Sequence, residues 1–271
     1  MTDITEKEYE HLTGYIFSNF GIKLGAGKKT LVLGRLQSIL QQYGFGTFSE
    51  YYAYVTSDKT GRAVSELVDR ITTNHTFFMR EPDHFFYFRD YVLPQLARSV
   101  PEKDLRIWSA GCSSGEEAYT LAMIIQDFFG SEKPMWDAKI LATDISSKVL
   151  DAAKKGEYKT KSLEALPAAW KSNFVKKDQE KSEITDKLKN EVIFRYFNLM
   201  NEYFPFRKKF HVIFCRNVMI YFDMATKTAL VNRFYDSLEA GGYLFIGHSE
   251  SIGREETQFQ YVMPAIYRKG L

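Results

Sequence analysis

Two short apolar runs, one helix apart, constrain this chain more than any other feature. The first, LRIWSA at 105–110, stops at a turn bounded by Gly111 and Gly115, and a helix-like run opens there on Glu116 and Glu117. The second, ILAT at 140–143, ends on Asp144. Strand, tight turn, helix and second strand form the repeating unit of an open parallel sheet. Ligands in such sheets bind outside the carboxyl ends of the strands. Gly111 and Gly115 lack a Cβ, so the backbone can approach a ligand closely there. A carboxylate at the second strand's tip can accept hydrogen bonds from both hydroxyls of a ribose, which makes Asp144 a nucleoside-binding candidate.

The spacing disfavours a dinucleotide. A pyrophosphate wants G-x-G-x-x-G and bare helix N–H groups. Here the turn is G-x-x-x-G, and Glu116 and Glu117 follow it. Two carboxylates at a helix start repel a diphosphate and suit a cationic ligand. S-adenosylmethionine, a nucleoside with a sulfonium, an ammonium and no phosphate, fits. The competing reading is an ordinary glycine turn with a solvated acidic helix start.

The rest of the chain supports an α/β class. Residues 1–90 show helical periodicity, with helices expected over 8–21, 29–44, 48–57 and 63–74. A further helix is expected over 82–100, so that 91–104 form a linker helix and connector. From 105 to 271 strands and helices alternate, which predicts a mostly parallel sheet with helices on both faces. A terminal strand pair is expected in FQYVMPAIYRKG, and a helix over 224–240 closed by Gly241-Gly242. Residues 159–194 break the rhythm with many charges and read as an insert, part helix and part polar hairpin.

Composition excludes several classes. No apolar run approaches ~18 residues, so no membrane-spanning helix is expected. The acidic N-terminus lacks a signal core, which points to the cytoplasm. A formal net charge of +2 makes no case for nucleic acid. Cys112 and Cys215, both near strand ends, read as small buried thiols rather than a redox pair. The five histidines show no metal-ligand spacing, and no metal is expected. Charge is unevenly placed: between Glu10 and Glu50 there is no acid, while Lys23, Lys28, Lys29 and Arg35 fall there. The amphipathic helix that follows reads either as a solvated face or as a docking face for an acidic protein.

Polar residues crowded by aromatics mark further candidates. In TTNHTFFMREPDHF, at 72–85, Asn74 and Thr76 could be helix caps or ligand contacts. Arg80 needs an anion, and a bound carboxylate is a natural partner. Asn198 and the pair Arg216-Asn217 follow strands, and Tyr221 lies a few residues on. HSES at 248–251 reads as support for the site or as a polar turn.

TNHTFFMRE, SAGCSSGEEAYTLAM, ILATDIS, the GEY at 156–158, NLM, IFCRNVMIYFD and GGYLFIGHSES are similar, in order and spacing, to the chemotaxis receptor methyltransferases, the CheR family. The resemblance implies a small all-helical N-terminal domain and an S-adenosylmethionine-dependent methyltransferase domain with a Rossmann-like sheet. It also implies an inserted antiparallel β subdomain. The implied reaction is methylation of glutamates on the cytoplasmic helices of methyl-accepting chemoreceptors, leaving S-adenosylhomocysteine. Residues matching Asn74, Thr76, Arg80, Glu117, Asp144, Asn198, Leu199, Arg216 and Asn217 line the cofactor site in that family, and the match to Tyr221 lies near the transferred methyl. A helix matching the basic 28–42 segment, with Lys28, Lys29 and Arg35, is implicated in receptor contact. A monomer is expected. The insert lacks the glycine-rich hairpin turn associated with members that grip a receptor's C-terminal pentapeptide, so that tether is not carried over.

A glutamate acceptor has a reference pKa of about 4.3, so it is ionised at neutral pH and needs no general base. Arg89 and Arg98 are candidates for orienting the incoming carboxylate. Two other readings compete: a nucleic-acid methyltransferase, which would need a broad basic surface, and a non-catalytic scaffold or sensor that binds the cofactor.

Overall fold

The computed structural model describes residues 3–253 and 255–271. Its first unit packs four helices around one apolar cluster running from Ile4 to Ile71. Helix α1 (Glu6–Phe20) opens on a capping box in which Thr5 and Glu8 bond reciprocally, and it ends at Gly21 in a left-handed conformation. Helix α2 spans Lys29–Tyr43, α3 Phe48–Ser57 and α4 Arg62–Ile71. Glu8 also accepts from the N–H and hydroxyl of Ser49, which pins the start of α3 to α1. Burial acts to raise this carboxyl, but the hydrogen bonds from Thr5 and Ser49 outweigh it and hold the pKa at about 2.

The chain then crosses to the sheet. Helix α5 (Pro82–Tyr87) widens into a π turn over Phe88–Val92 and resumes as α6 (Leu93–Ser99). Pro94 has no N–H to give the preceding turn, which accounts for the π turn just before it. Phe78, Phe85, Phe88, Leu93 and Leu96 pack with the sheet rather than with α1–α4. By packing, the division between the two cores therefore lies ahead of residue 78, earlier than the break expected near 90.

Next come strand β1 (Ile107–Ala110), α7 (Glu116–Phe129), β2 (Ile140–Asp144), α8 (Ser147–Lys155) and β3 (Glu157–Lys159). Helix α9 (Ala168–Phe174), β4 (Val175–Lys176), β5 (Lys181–Ile184) and α10 (Asp186–Lys189) follow. The chain closes with β6 (Val192–Tyr196), β7 (Phe210–Cys215), α11 (Met224–Ser237), β8 (Leu238–Ile246), β9 (Gln260–Met263) and β10 (Ile266–Arg268). The main sheet has the order β6-β2-β1-β7-β8-β10-β9, parallel from β6 to β8 with an antiparallel edge pair. This is an open Rossmann-like sheet, and the order reverses at β1. The insert is a three-stranded antiparallel sheet, β3-β5-β4.

Strand periodicity sorts the two faces. Ile107, Val212, Phe214 and Phe245 pack toward α7, while Trp108, Ile213, Leu244 and Ile246 pack toward α11. The Trp108 ring nitrogen donates to Thr143 Oγ1 at 2.9 Å, which satisfies its buried N–H. The helix expected over 224–240 stops short: α11 ends at Ser237, and Leu238 already belongs to β8. Leu238 is fully buried in the α11-side core, and Gly241, at φ 73°, takes the register irregularity in mid-strand.

Candidate functional site

A cavity of about 320 Å³ lies over the carboxyl ends of β1, β2, β6 and β7, beneath the helical unit. Its floor is the turn after β1. Gly111 N–H and Cys112 N–H both donate to Thr143 O, at 2.8 and 2.9 Å. Gly111 has φ +84°, and a Cβ there would run into Val218 Cγ2, so only glycine fits. Gly115 differs from the expectation. It does not line the cavity; it starts α7 at φ +95°, and a Cβ would meet Ala153 Cβ at 2.9 Å and the Tyr158 hydroxyl at 3.2 Å. Its smallness serves helix packing. Tyr158, from the insert, donates to Ser114 O at 2.6 Å and so braces the same turn.

Asp144 stands at the tip of β2 with 8% of its surface exposed. Ser113 N–H donates to Oδ2 and Ser146 N–H to Oδ1, each at 2.9 Å. Burial pushes the carboxyl pKa up, against the pull of these amides. Each oxygen keeps a second lone pair for a ligand hydroxyl. Ser113 Oγ donates to Asn74 O at 2.9 Å, which ties the segment from the helical unit to this turn. Asn74, Thr76 and Arg80 all line the cavity. Arg80 Nη1 donates to His75 O at 2.7 Å, and the guanidinium lies 5.9 Å from the Phe77 ring.

The charged wall is Arg216, at the end of β7. Its Nη1 donates to Glu117 Oε2 and its Nη2 to Glu81 Oε2, both at 3.0 Å, and Nη2 also reaches Arg80 O. The guanidinium lies 5.1 Å from the Phe85 ring. Glu117 accepts in addition from Ser109 Oγ at 2.7 Å. Glu81 takes Asn217 Nδ2 at 3.2 Å and His248 N–H at 3.3 Å. Burial acts to raise Glu81, and Arg216 more than cancels this, so its carboxyl sits below the usual range. Glu81 was not singled out from sequence. The available signal was its place directly after Arg80 in an otherwise aromatic run.

Spacing likewise hid a histidine pair. Glu81, His84 and His248 bring potential ligand atoms within 4.8 Å of one another. Glu81 is already engaged by Arg216, Asn217 and His248 N–H, however, and Arg216 places a fixed cation beside it. The set is read as part of the Arg216 network. Cys112 and Cys215 are buried free thiols, and burial pushes both pKa values up.

The roof comes from the helical unit: Phe20, Ile22, Lys23, Lys28, Leu31 and Arg35. Lys23 N–H donates to Tyr221 O at 2.8 Å, and Asn198 Nδ2 donates to Asn19 O at 2.8 Å. Asn198, Leu199, Asn217 and Tyr221 line the opposite side. The three basic residues expected to meet a receptor are in three situations. Lys28 is exposed at the cavity. Lys29 pairs with Glu6 at 2.9 Å. Arg35 caps the end of α4, donating to Ile71 O, Thr72 O and Thr73 Oγ1, so its donors are engaged within the fold although no carboxylate among the described residues neutralises it there.

Arg89 and Arg98 lie away from the cavity. Arg89 is closed onto Asp90 at 2.6 and 2.8 Å beside the Phe86 ring, and Arg98 is exposed on α6. A helix carries its side chains outward from its buried stripe, and the stripe of α5–α6 is spent on the sheet. Among the described residues, the lysines and arginines that face the cavity are Lys23, Lys28, Arg35, Arg80 and Arg216.

Chemically the site offers a buried acid for hydroxyls, a floor opened by Gly111, and Glu117 at the start of α7, while Glu116 is buried outside the cavity and accepts from Ser114 Oγ. That set fits a nucleoside with a positive centre and disfavours a diphosphate.

Comparison with known proteins agrees in kind. Residues 74–267 match the family described as CheR methyltransferase, SAM binding domain, and residues 7–72 match CheR methyltransferase, all-alpha domain. The chain is 43% identical to a chemotaxis protein methyltransferase of Borreliella burgdorferi, covering 98% of this chain and 95% of the relative. It is 37% identical to a probable chemotaxis protein methyltransferase of Rhizobium etli, covering 94% and 99%. A chemotaxis protein methyltransferase of Escherichia coli K12 is 30% identical, covering 97% and 91%.

Proposed function

Because this chain belongs to the CheR family of S-adenosylmethionine-dependent chemotaxis methyltransferases, we propose that it methylates glutamate side chains on the cytoplasmic helices of chemoreceptors. The products are glutamyl methyl esters and S-adenosylhomocysteine. The observation that carries the site assignment is Asp144: a buried carboxylate, oriented by two backbone amides, facing a nucleoside-sized cavity at the turn of the sheet order.

When bound, S-adenosylmethionine supplies a methyl group made electrophilic by a positively charged sulfur. The chain's own residues have the following tasks. Asp144 holds the ribose hydroxyls, and Gly111 keeps the floor open. Arg80 pairs with the cofactor's carboxylate, and Glu117, itself fixed by Arg216 and Ser109, faces its ammonium. Asn198, Leu199 and Asn217 bound the base and sugar. Tyr221 directs the methyl. No side chain has to remove a proton, because the acceptor carboxylate is already ionised. Catalysis is then alignment of oxygen, carbon and sulfur. The helical roof limits water, and Lys23 and Lys28 at its edge favour an acidic acceptor. Among the described residues no helix is long and apolar enough to cross a membrane.

The test is methyl transfer from labelled cofactor to a receptor's cytoplasmic fragment. Label released by mild alkali supports an ester. Label that survives alkali, or that goes to RNA instead, contradicts the assignment.

A further inference from the structure

The loop after β8 carries a carboxylate that does not line the cavity, yet it touches the segment that does. Glu250 is buried, with 6% of its surface exposed. It accepts the N–H of Asn217 at 2.9 Å, of Ile220 at 3.1 Å and of Gly247 at 2.6 Å. No lysine, arginine or histidine among the described residues forms an ion pair with it. Among the described residues the carboxylate is met by amide dipoles converging on its two oxygens.

Two of those amides, of Asn217 and Ile220, belong to the turn at 217–221, which supplies Asn217, Val218, Ile220 and Tyr221 to the cavity; the third, of Gly247, belongs to the loop of Glu250 itself. Met219–Tyr221 form a single 3-10 turn and Lys23 N–H donates to Tyr221 O at 2.8 Å, but the lead-in at 217–218 lies outside any helix or strand. Asn217 has φ 58°, the left-handed region that few residues besides glycine adopt and that asparagine tolerates best. Gly247 completes the lock. A Cβ there would lie 2.5 Å from Asn217 Nδ2 and 2.8 Å from its N, so only glycine lets the two loops approach. All the polar groups facing the Glu250 oxygens are donors. A glutamine would present an NH₂ group to N–H groups and leave at least one of them unmatched.

We propose that Glu250 is a positioning residue for methyl transfer, its carboxylate clamping the 217–221 turn so that Tyr221 and Asn217 hold their places at the cavity. This inference rests on the methyltransferase reading above. Glu250 touches neither cofactor nor acceptor and acts through Tyr221.

The experiment is steady-state methylation of a receptor fragment by the full chain, comparing wild type, Glu250→Gln, Tyr221→Phe and the double variant, with thermal unfolding of each. The expected result for Glu250→Gln is a kcat reduced about tenfold or more, the order seen when a site is misplaced by a fraction of an ångström, with the receptor KM little changed. Tyr221→Phe should then add little to the loss already present, since both act at one point. A wild-type kcat in Glu250→Gln overturns the inference. So does a full, independent Tyr221→Phe effect in the Glu250→Gln background, which would mark Glu250 as scaffolding alone. Should Glu250→Gln fail to fold, Glu250→Asp carries the test. Shortened by one methylene, it cannot reach all three amides, and its kcat should fall while KM holds; an unchanged kcat overturns the proposal. If wild type itself transfers no methyl to receptor, the methyltransferase reading fails and takes this inference with it; an active wild type with an unaffected variant removes the inference alone.

Discussion

Arg216 and Glu117 meet at 3.0 Å, joining the end of β7 to the first turn of α7 across the wall of the cavity. Their side chains are 3% and 12% exposed, and Arg216 serves Glu81 at the same time. Arg216→Met would leave two carboxylates in low dielectric without their cation. A loss of about 3–5 kcal/mol is expected, the range for breaking a buried pair from one side. Glu117→Gln keeps the Arg216–Glu81 contact and should cost less. Urea unfolding of the two variants checks the order, and equal stabilities would show that Glu81 does not depend on Arg216.

Asp144→Ala is expected to weaken cofactor binding by roughly 1–3 kcal/mol, the range for losing hydrogen bonds to a charged group. Titration calorimetry reads this directly. An unchanged affinity removes Asp144 from the ribose site.

The pH dependence of that affinity has a definite sign. Burial raises the Asp144 pKa above its ordinary value, so the ionised acceptor is lost at a higher pH than for a free aspartate, near about 3.9. Affinity should be full above the raised value and fall as the pH drops through it. The same shift has the opposite effect on the cofactor-free protein, whose folded state gains from protonating this group as pH falls through that window. Asp144→Asn should bind more weakly and show a flatter profile. A wild-type profile as flat as the variant's would contradict the role.

Much of this was legible in local sequence. The run 105–117 and the tip of β2 specify strand, turn, helix and acid within a few residues, and local geometry needs no distant partner. Arg80, Asn198, Arg216 and Asn217 were visible as polar residues at strand ends or among aromatics. What escaped was long-range. Glu81 meets Arg216 only after the chain has crossed the sheet, and Glu250 finds its amides on a different loop. Gly115 lies off the cavity, and a glycine that packs and a glycine that admits a ligand look alike in a turn. Arg89 and Arg98 also lie off it, because local sequence does not say which way a helix carrying an arginine will face. Arg35 sits in a basic run, yet it satisfies the open carbonyls at the end of α4, a need that only the folded helix creates.

That difference between Lys28 and Arg35 can be measured. Lys28→Glu should raise the receptor KM severalfold, as loss of an attractive charge and gain of a repulsive one would do at an acidic partner, with cofactor affinity and stability nearly unchanged. Arg35→Ala should lower the melting temperature, because it releases the carbonyls of Ile71 and Thr72. If the two variants behave alike, α2 acts as one docking face and the distinction fails.

Tyr221→Phe separates positioning from packing. The ring stays, so fold and cofactor affinity should hold while turnover falls. A turnover loss no larger than that of a surface substitution would return Tyr221 to the packing between the helical unit and its loop.

The most direct measurement is peptide-level mass spectrometry of a receptor's cytoplasmic fragment after incubation with S-adenosylmethionine and either wild type or Asp144→Ala. The account expects one added methyl on glutamate side chains with wild type and little or none with the variant under limiting cofactor. Methyl groups on other residue types, or equal modification by both proteins, would contradict it.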